Sequence, residues 1–237
     1  PGWSLDAGSD TSQWEWGRPL GNGGEYGNPD PISGWTGTHV MGYSLQGDYA
    51  NNISTTQWAT TPALDCSNYA DVFVEFQRWL NVESPTYDHV YFQVSNNGSV
   101  WQNLWTNSDE ITDSAWVPQT FDISSVADGQ PTVYLRWGLG ATDSSWRYSG
   151  WNIDDVFVFG THVDNQAPRV MDVYVRGNKW SSGFLNTMEM LDIGQFDEGY
   201  RIPTGTAQFD PLPWPQLNKI SIAFDEDVNV EQDDLKV

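Results

Sequence analysis

The chain has 237 residues, of which 38% are hydrophobic and 14% aromatic, so it can bury the core of one large or two ordinary domains. Acidic residues outnumber basic residues 32 to 10, and the formal net charge is −22. This charge repels phosphate backbones and anionic lipids, so it disfavours nucleic-acid binding and membrane insertion, whereas it favours divalent cations. The single cysteine, Cys66, excludes an intramolecular disulfide, and no segment approaches the roughly 20 apolar residues of a membrane span.

Residues 1–52 are rich in glycine, asparagine and proline, which predicts loops and short strands. The run of turn-forming residues at 21–31 is followed by neither a lysine nor a helical pattern. Its glycines are therefore not typical of a phosphate-binding loop.

A period-two alternation of apolar and polar residues begins at Val72 and predicts a strand over residues 72–77. Asn97 and Gly98 supply a turn between two further short runs, which predicts a hairpin. The remaining short strands are separated by loops rich in turn formers. The strands predicted in this region cover residues 72–77, 90–94, 100–104, 133–137 and 150–159. Together they predict an all-β fold, an antiparallel β-sandwich.

The last of these strands contains two adjacent carboxylates, Asp154 and Asp155, in an otherwise apolar sequence. The side-chain period of a strand is two, so we expect the two carboxylates to face opposite sides. A buried carboxylate needs a cation, hydrogen-bond donors or solvent. Calcium prefers six to eight hard oxygen ligands, which this acidic, loop-rich chain can supply. An exposed acidic strand end is the alternative.

A polar, patternless stretch at residues 163–168 predicts a linker between a first domain, 1–162, and a second, 169–237. In the second domain, residues 170–176 and 217–224 are predicted strands, and residues 180–191 have the apolar spacing of a short helix. We interpret it as a smaller, partial Ig-like β domain. Because the chain begins at Pro1 and stops within a pattern, we expect it to be a piece of a longer protein.

Residues 3–160 resemble a MAM-like, concanavalin-type jelly roll of large secreted bacterial proteins. The animal MAM domains carry paired cysteines that this chain lacks, so it is similar to the bacterial branch alone. The second domain, with LPWP at 212–215 and ISIAFDEDV at 220–228, resembles the Ig-like segments that follow such jelly rolls. The motifs that carry the first resemblance are QWEWGRP (13–19), GWTGTHVMGY (34–43), GDY (47–49), FQRWL (76–80), YDHV (87–90), VSNNGSVW (94–101), YLRW (134–137) and GWNIDDV (150–156).

The resemblance implies a non-catalytic, extracellular binding or adhesion module with a structural calcium ion. In this family the metal ligands come from an acidic residue near the N-terminus, the Gly-x-Tyr region and the closing Ile-Asp-Asp. The corresponding candidates in this sequence are Asp6 or Asp10, the loop that contains Asp30, and Asp154 or Asp155.

Fourteen tryptophans are many for this length, and their positions divide them. Trp79, Trp101, Trp137 and Trp151 lie in strand patterns or family motifs, and we expect them in the core. Tryptophans in or beside loops can stack on the apolar faces of sugar rings, or alternatively pack beneath the loops. These ligand-binding candidates are Trp35, Trp58, Trp105, Trp116 and Trp146.

The favoured function is a secreted or cell-surface module that binds carbohydrate or a matrix polymer and is joined to other domains of its parent protein. One alternative is a structural spacer or protein-interaction module attached to a secreted hydrolase or peptidase. A polysaccharide-active enzyme is disfavoured, because the sequence lacks the Glu-x-Asp-x-x-Glu triplet of laminarinase-type hydrolases and any Gly-x-Ser-x-Gly motif.

Overall fold

The computed structural model describes residues 2–7, 13–164, 166–212, 214 and 216–229. Its internal contacts divide the chain into two compact units, Pro1–Asp164 and Asn165–Val237. No helix within the described ranges is long and apolar enough to cross a membrane.

Unit 1 is an antiparallel β-sandwich of two sheets, as the sequence predicts. Sheet A has the strand order β1-β4-β10-β6-β7; sheet B has the order β2-β3-β11-β5-β8, and β9 also pairs with β5. The described strands are β1 (Ser4–Leu5), β2 (Trp14–Gly17), β3 (Val40–Tyr43), β4 (Gln57–Thr60), β5 (Tyr69–Val82), β6 (Val90–Ser95), β7 (Gln102–Thr106), β8 (Ile111–Thr112), β9 (Val117–Asp122), β10 (Tyr134–Leu139) and β11 (Gly150–His162), and a short helix, α1 (Ser124–Ala127), follows β9.

The alternating pattern of the sequence corresponds to the inner and outer faces of the sheets. Val72, Val74 and Phe76 are buried, as predicted for one face of β5. The predicted hairpin is confirmed, because β6 pairs antiparallel with β7 across the turn that contains Asn97 and Gly98. The predicted strands in the 133–137 and 150–159 regions are confirmed as β10 and β11.

Aromatic rings from both sheets meet in the core of unit 1. Phe76 of sheet B lies 5.1 Å from Phe92 and 5.2 Å from Trp137 of sheet A, measured between ring centroids. Phe92 and Trp137 stack on each other at 4.7 Å. Trp151 is also fully buried, which confirms the prediction for it and for Trp137.

Two other tryptophans predicted for the core lie elsewhere, so the prediction for them is wrong. Leu80 is fully buried, and the neighbouring Trp79 therefore points to the outer face of sheet B. Trp101 stacks on the guanidinium of Arg136, which projects from the outer face of sheet A.

Unit 2 contains a small antiparallel sheet with the order β13-β14-β12-β15 and a helix, α2. The predicted helix is confirmed: it is capped by Ser181, whose hydroxyl accepts a hydrogen bond from Phe184 N, and it buries Leu185 and Met188. The described elements of unit 2 are β12 (Val170–Arg176), α2 (Ser182–Met190), β13 (Gly194–Gln195), β14 (Gly199–Arg201), a 3-10 helix (Gly205–Phe209) and β15 (Lys219–Phe224).

Replacing Trp137 with alanine tests the aromatic core. Because this fully buried ring contacts rings of both sheets, we expect Trp137→Ala to lower the free energy of unfolding of unit 1 by about 3–5 kcal/mol. Trp35→Ala is the control, because 56% of Trp35 is exposed. Urea denaturation followed by far-UV circular dichroism measures both; equal losses in the two variants would contradict the assignment.

Candidate functional site

A groove on the outer face of sheet B is the candidate binding site. Its floor is formed by β5, whose residues Glu75, Gln77 and Trp79 point away from the core. One wall is the loop at residues 28–35, and the other is the segment at 114–120.

Two neighbouring depressions of about 460 Å³ and 190 Å³ make up this groove. Each of three segments contributes to both: residues 33–35 on one wall, residues 77–79 on the floor and residues 116–118 on the other wall. No described residue lines both depressions, but they lie next to each other along β5, and we call the surface that contains them the sheet-B groove.

Half-buried and exposed aromatic side chains line the sheet-B groove. Trp79 and Trp116 meet edge to face with ring centroids 6.0 Å apart. Trp35, 56% exposed, and Phe157, 61% exposed, line the second depression. The structure thus brings two of the predicted ligand-binding tryptophans, Trp35 and Trp116, to one surface and adds Trp79. The alternation along β5 is the sequence signal that points to Trp79.

Polar groups lie between these rings. The Oε1 atom of Gln77 is buried and has no hydrogen-bond partner among the described residues. Glu75 accepts a hydrogen bond of 3.3 Å from the Thr120 hydroxyl. A buried acceptor without a donor is costly, and Gln77 lines the second depression, so a ligand that brings a donor within reach of Oε1 would relieve this cost.

The other predicted ligand-binding tryptophans lie outside the groove. Trp58 and Trp101 sandwich Arg136, whose guanidinium carbon is 3.8 Å from the centroid of each ring, so each has one face covered. Burial lowers the pKa of Arg136 to about 10, although the nearby negative charge of Asp6 partly opposes this shift.

Trp105 and Trp146 also pack against protein groups. Trp105 is half-buried and meets the buried Trp151 edge to face. Trp146 is 50% exposed, but it stacks on Tyr26 with ring centroids 4.9 Å apart.

The carboxylate of Asp154 is buried and held by backbone donors. Its Oδ2 accepts a hydrogen bond of 3.1 Å from Thr36 N, and the backbone N–H groups of Trp35 and Asp155 also bond to the carboxylate. A side chain at Gly34 would collide with this oxygen, because a Cβ atom there would lie 2.6 Å from it. Asp154 therefore anchors the loop that forms one wall of the groove.

Asp155 contacts the same loop, contrary to the expectation that the two aspartates face opposite sides. Its Oδ1 accepts a hydrogen bond of 2.7 Å from the Thr36 hydroxyl. The ladder between β11 and β5 shifts register between Asp154 and Phe157, and Asp155 has a φ of 47°. This β-bulge breaks the regular alternation and directs both carboxylates to Thr36.

The carboxylate of Asp30 receives fewer hydrogen bonds than that of Asp154. Its Oδ1 accepts a hydrogen bond of 2.6 Å from Asn152 Nδ2, whereas its Oδ2 and Asn152 Oδ1 are buried and have no partner in the described parts of the chain. Burial raises the pKa of Asp30 to about 8; the hydrogen bond from Asn152 opposes the shift, and the charges of Asp48 and Glu15 add to it.

The predicted metal ligands do not form one cluster among the residues that the structure describes. Asp6 lies beside sheet A, where its Oδ2 accepts a hydrogen bond from Trp58 N. Asp10 lies outside the described residues. Metal binding by Asp154 and Asp155 stays a prediction.

A different acidic cluster is present in unit 1. Glu83, Asp88 and Asp143 each offer a carboxylate oxygen within 4.8 Å of the others. Burial, and then the negative charges of Asp88, Asp143 and Glu110, raises the pKa of Glu83 to about 7. None of the three is among the predicted metal ligands: Glu83 and Asp88 are close in sequence, but Asp143 is distant from both.

Comparison with family models and with curated proteins finds no match. Among solved structures, the chain is similar to the K1 cleaved adhesin domain of Lys-gingipain from Porphyromonas gingivalis W83, with 17% identity and a TM-score of 0.44 over 67% of this chain and 90% of that one. It is also similar to TmCBM61 in complex with β-1,4-galactotriose, with 12% identity and a TM-score of 0.39 over 67% and 88% of the two chains. A third similar structure is the CBM22-2 xylan-binding domain of Xyn10C from Paenibacillus barcinonensis, with 13% identity and a TM-score of 0.36 over 67% and 91%. These likenesses are weak.

Replacing Asp154 with asparagine separates its two possible roles. The variant loses the charged acceptor of several backbone N–H groups, so we expect the free energy of unfolding to fall by about 1–3 kcal/mol. Urea denaturation with and without EDTA measures this loss, and Asp109→Asn, at an exposed site, is the control. The loss should persist in EDTA. A loss that disappears when metal is removed would show instead that Asp154 acts as a metal ligand.

Proposed function

We propose that unit 1 is a non-catalytic, MAM-like, calcium-stabilised module of a secreted or cell-surface protein, and that it binds carbohydrate in the sheet-B groove. The observation that carries the proposal is the combination of Trp35, Trp79 and Trp116 with the unpaired Oε1 of Gln77 on one surface.

This combination suits the chemistry of a sugar. A pyranose ring presents apolar C–H faces, which stack on aromatic rings, and a periphery of hydroxyl groups, which donate hydrogen bonds. Trp79 and Trp116 supply the aromatic surface, and Gln77 supplies a buried acceptor beside it. A purely apolar ligand would leave Gln77 Oε1 unpaired. The groove therefore favours a ligand in which each ring has both apolar faces and hydrogen-bond donors.

The shape of the groove favours a chain over a single sugar. From Trp79 to Glu75, β5 advances about 13 Å, since a strand rises about 3.3 Å per residue. Both depressions are open to solvent along this length, and aromatic side chains occur in each. We therefore expect an oligosaccharide to bind more tightly than its monosaccharide.

Calcium is part of the proposal because Asp30 and Asn152 offer oxygen atoms that are suitable ligands for it. Their two buried oxygens without partners, Asp30 Oδ2 and Asn152 Oδ1, are hard donors of the type that calcium prefers. The charges of Asp48 and Glu15 add to the negative potential at Asp30. An ion held there would connect the groove wall at residue 30 to β11.

A polysaccharide-active enzyme is the second candidate, because Glu75 and Asp155 line the same part of the groove. Paired carboxylates flank the scissile bond in glycoside hydrolases. Here each carboxylate accepts a hydrogen bond from a threonine hydroxyl, of Thr120 or Thr36, which orients it as a structural acceptor.

Binding measurements on groove variants test the proposed function. We expect Trp79→Ala and Trp116→Ala each to weaken binding about tenfold, equivalent to about 1.4 kcal/mol, because each removes stacking surface. A broad glycan array identifies an oligosaccharide, and isothermal titration calorimetry measures the change. Trp146→Ala is the matched control, since this exposed tryptophan does not line the groove.

The same oligosaccharide discriminates between the candidate functions. Its mass spectrum should be unchanged after prolonged incubation with the wild-type protein, and Glu75→Gln should leave it equally stable. Hydrolysis that is lost in Glu75→Gln would support the enzyme. An array without any hit, or equal binding by Trp79→Ala and Trp146→Ala, would remove carbohydrate binding at this groove.

Removal of divalent metal tests the calcium component. We expect EGTA to lower the melting temperature of unit 1, because the folded state then loses the stabilisation that the bound ion provides. EGTA should lower the melting temperature of Asp30→Asn less than that of wild type, whereas Asp109→Asn should show the same decrease as wild type. A melting temperature that EGTA leaves unchanged would contradict the proposal.

A further inference from the structure

The cluster of Glu83, Asp88 and Asp143 places three carboxylates from three segments at one point of unit 1. Glu83 directly follows β5, Asp88 lies just before β6, and Asp143 lies in the loop between β10 and β11. Of Glu83 only 5% is exposed and of Asp88 only 1%, and Asp143 is half-buried. Three carboxylates at this proximity repel one another strongly when water is excluded.

Hydrogen bonds satisfy two members of the cluster. Asp88 accepts from the Tyr49 hydroxyl at Oδ2 and from Asp143 N, at 3.0 Å, at Oδ1. Asp143 accepts from Ser145 N at 2.7 Å. These donors fix the positions of the two aspartates, so the repulsion is not relieved by the side chains moving apart.

The third member has an oxygen that nothing satisfies. Glu83 Oε2 is buried and has no hydrogen-bond partner among the described residues. The ion pairs of the described lysines and arginines involve other acids, namely Asp113, Glu25, Asp192 and Glu198. A buried carboxylate oxygen that meets neither a donor nor a protein cation points to a missing positive group.

The backbone around the cluster is fixed by a buried amide. Asn107 Nδ2 donates to Glu83 O, at 3.1 Å, and to Asp88 O, at 3.0 Å, and only 3% of Asn107 is exposed. This side chain ties the end of β5 to the segment before β6. The carboxylates are thus preorganised on a rigid frame, as in a binding site.

We propose that Glu83, Asp88 and Asp143 bind a divalent cation, and that the cation is calcium. All three ligands are hard carboxylate oxygens, which excludes the nitrogen and sulfur chemistry preferred by zinc. Oxygens that share one Ca²⁺ lie at most about 4.6–5.2 Å apart, and the three carboxylate oxygens, all within 4.8 Å of one another, satisfy this bound. The ion would join the ends of β5 and β10 to the start of β6, independently of Asp30 and of the sheet-B groove.

Calcium titration of chelator-treated protein tests the site. With CaCl₂ as the only added ligand, we expect isothermal titration calorimetry to detect calcium binding to the wild-type protein. The affinity of this site should be at least tenfold lower in Glu83→Gln and in Asp143→Asn. Asp109→Asn is the control at an exposed acid, and Asp30→Asn should retain this ion. Calcium binding that is the same in wild type, Glu83→Gln and Asp143→Asn would overturn the proposal.

Thermal unfolding provides a second test, because the difference in melting temperature between Glu83→Gln and wild type should change sign when calcium is added. Glu83→Gln removes a buried unpaired charge, so in EGTA we expect it to melt at a higher temperature than wild type. In CaCl₂ we expect the order to reverse, because only wild type gains the stabilisation of the bound ion. A structural carboxylate gives the same order in both solutions, and that result would also overturn the proposal.

Discussion

The pairing of β5 with β11 is the constraint on which the rest of unit 1 depends. These long strands run antiparallel from the Gly150–Asn81 pair to the His162–Tyr69 pair. Their inner faces supply buried residues such as Phe76 and Trp151 to the core. Their outer faces supply the groove floor from β5 and the loop anchors Asn152 and Asp154 from β11. One ladder therefore fixes the floor of the groove and the wall beside it.

The acidic composition is accommodated by local chemistry that differs from site to site. Burial raises the pKa of Asp154, and hydrogen bonds from backbone N–H groups, that of Thr36 first, partly oppose this shift. Asp30 receives one amide donor and keeps an oxygen without a partner. Glu83 faces two other carboxylates with its Oε2 unsatisfied. A buried carboxylate oxygen without a donor is therefore a stronger candidate for a metal ligand than a buried carboxylate that donors satisfy.

The sequence predicts the strands of unit 1 well because their apolar alternation is local. The prediction of Trp79 for the core is wrong because the alternation that starts at Val72 continues to Leu80 and puts Trp79 on the outer face with Glu75 and Gln77. The sequence cannot show the bulge at Asp155, which depends on how β11 pairs with β5. Nor can it bring Asp143 to Glu83 and Asp88, since this proximity arises only when the loop after β10 folds beside the loop between β5 and β6.

The two outer faces of the sandwich explain why one sheet and not the other carries the groove. On sheet A, Arg136 lies between the rings of Trp58 and Trp101 and covers one face of each. On sheet B, Trp79 and Trp116 meet edge to face, and no lysine or arginine of the described residues stacks on either ring. The wall that Asp154 and Asp155 anchor then encloses these rings on one side. Sheet B therefore offers the better candidate for a binding surface, because no cation covers its tryptophans and an anchored loop lies beside them.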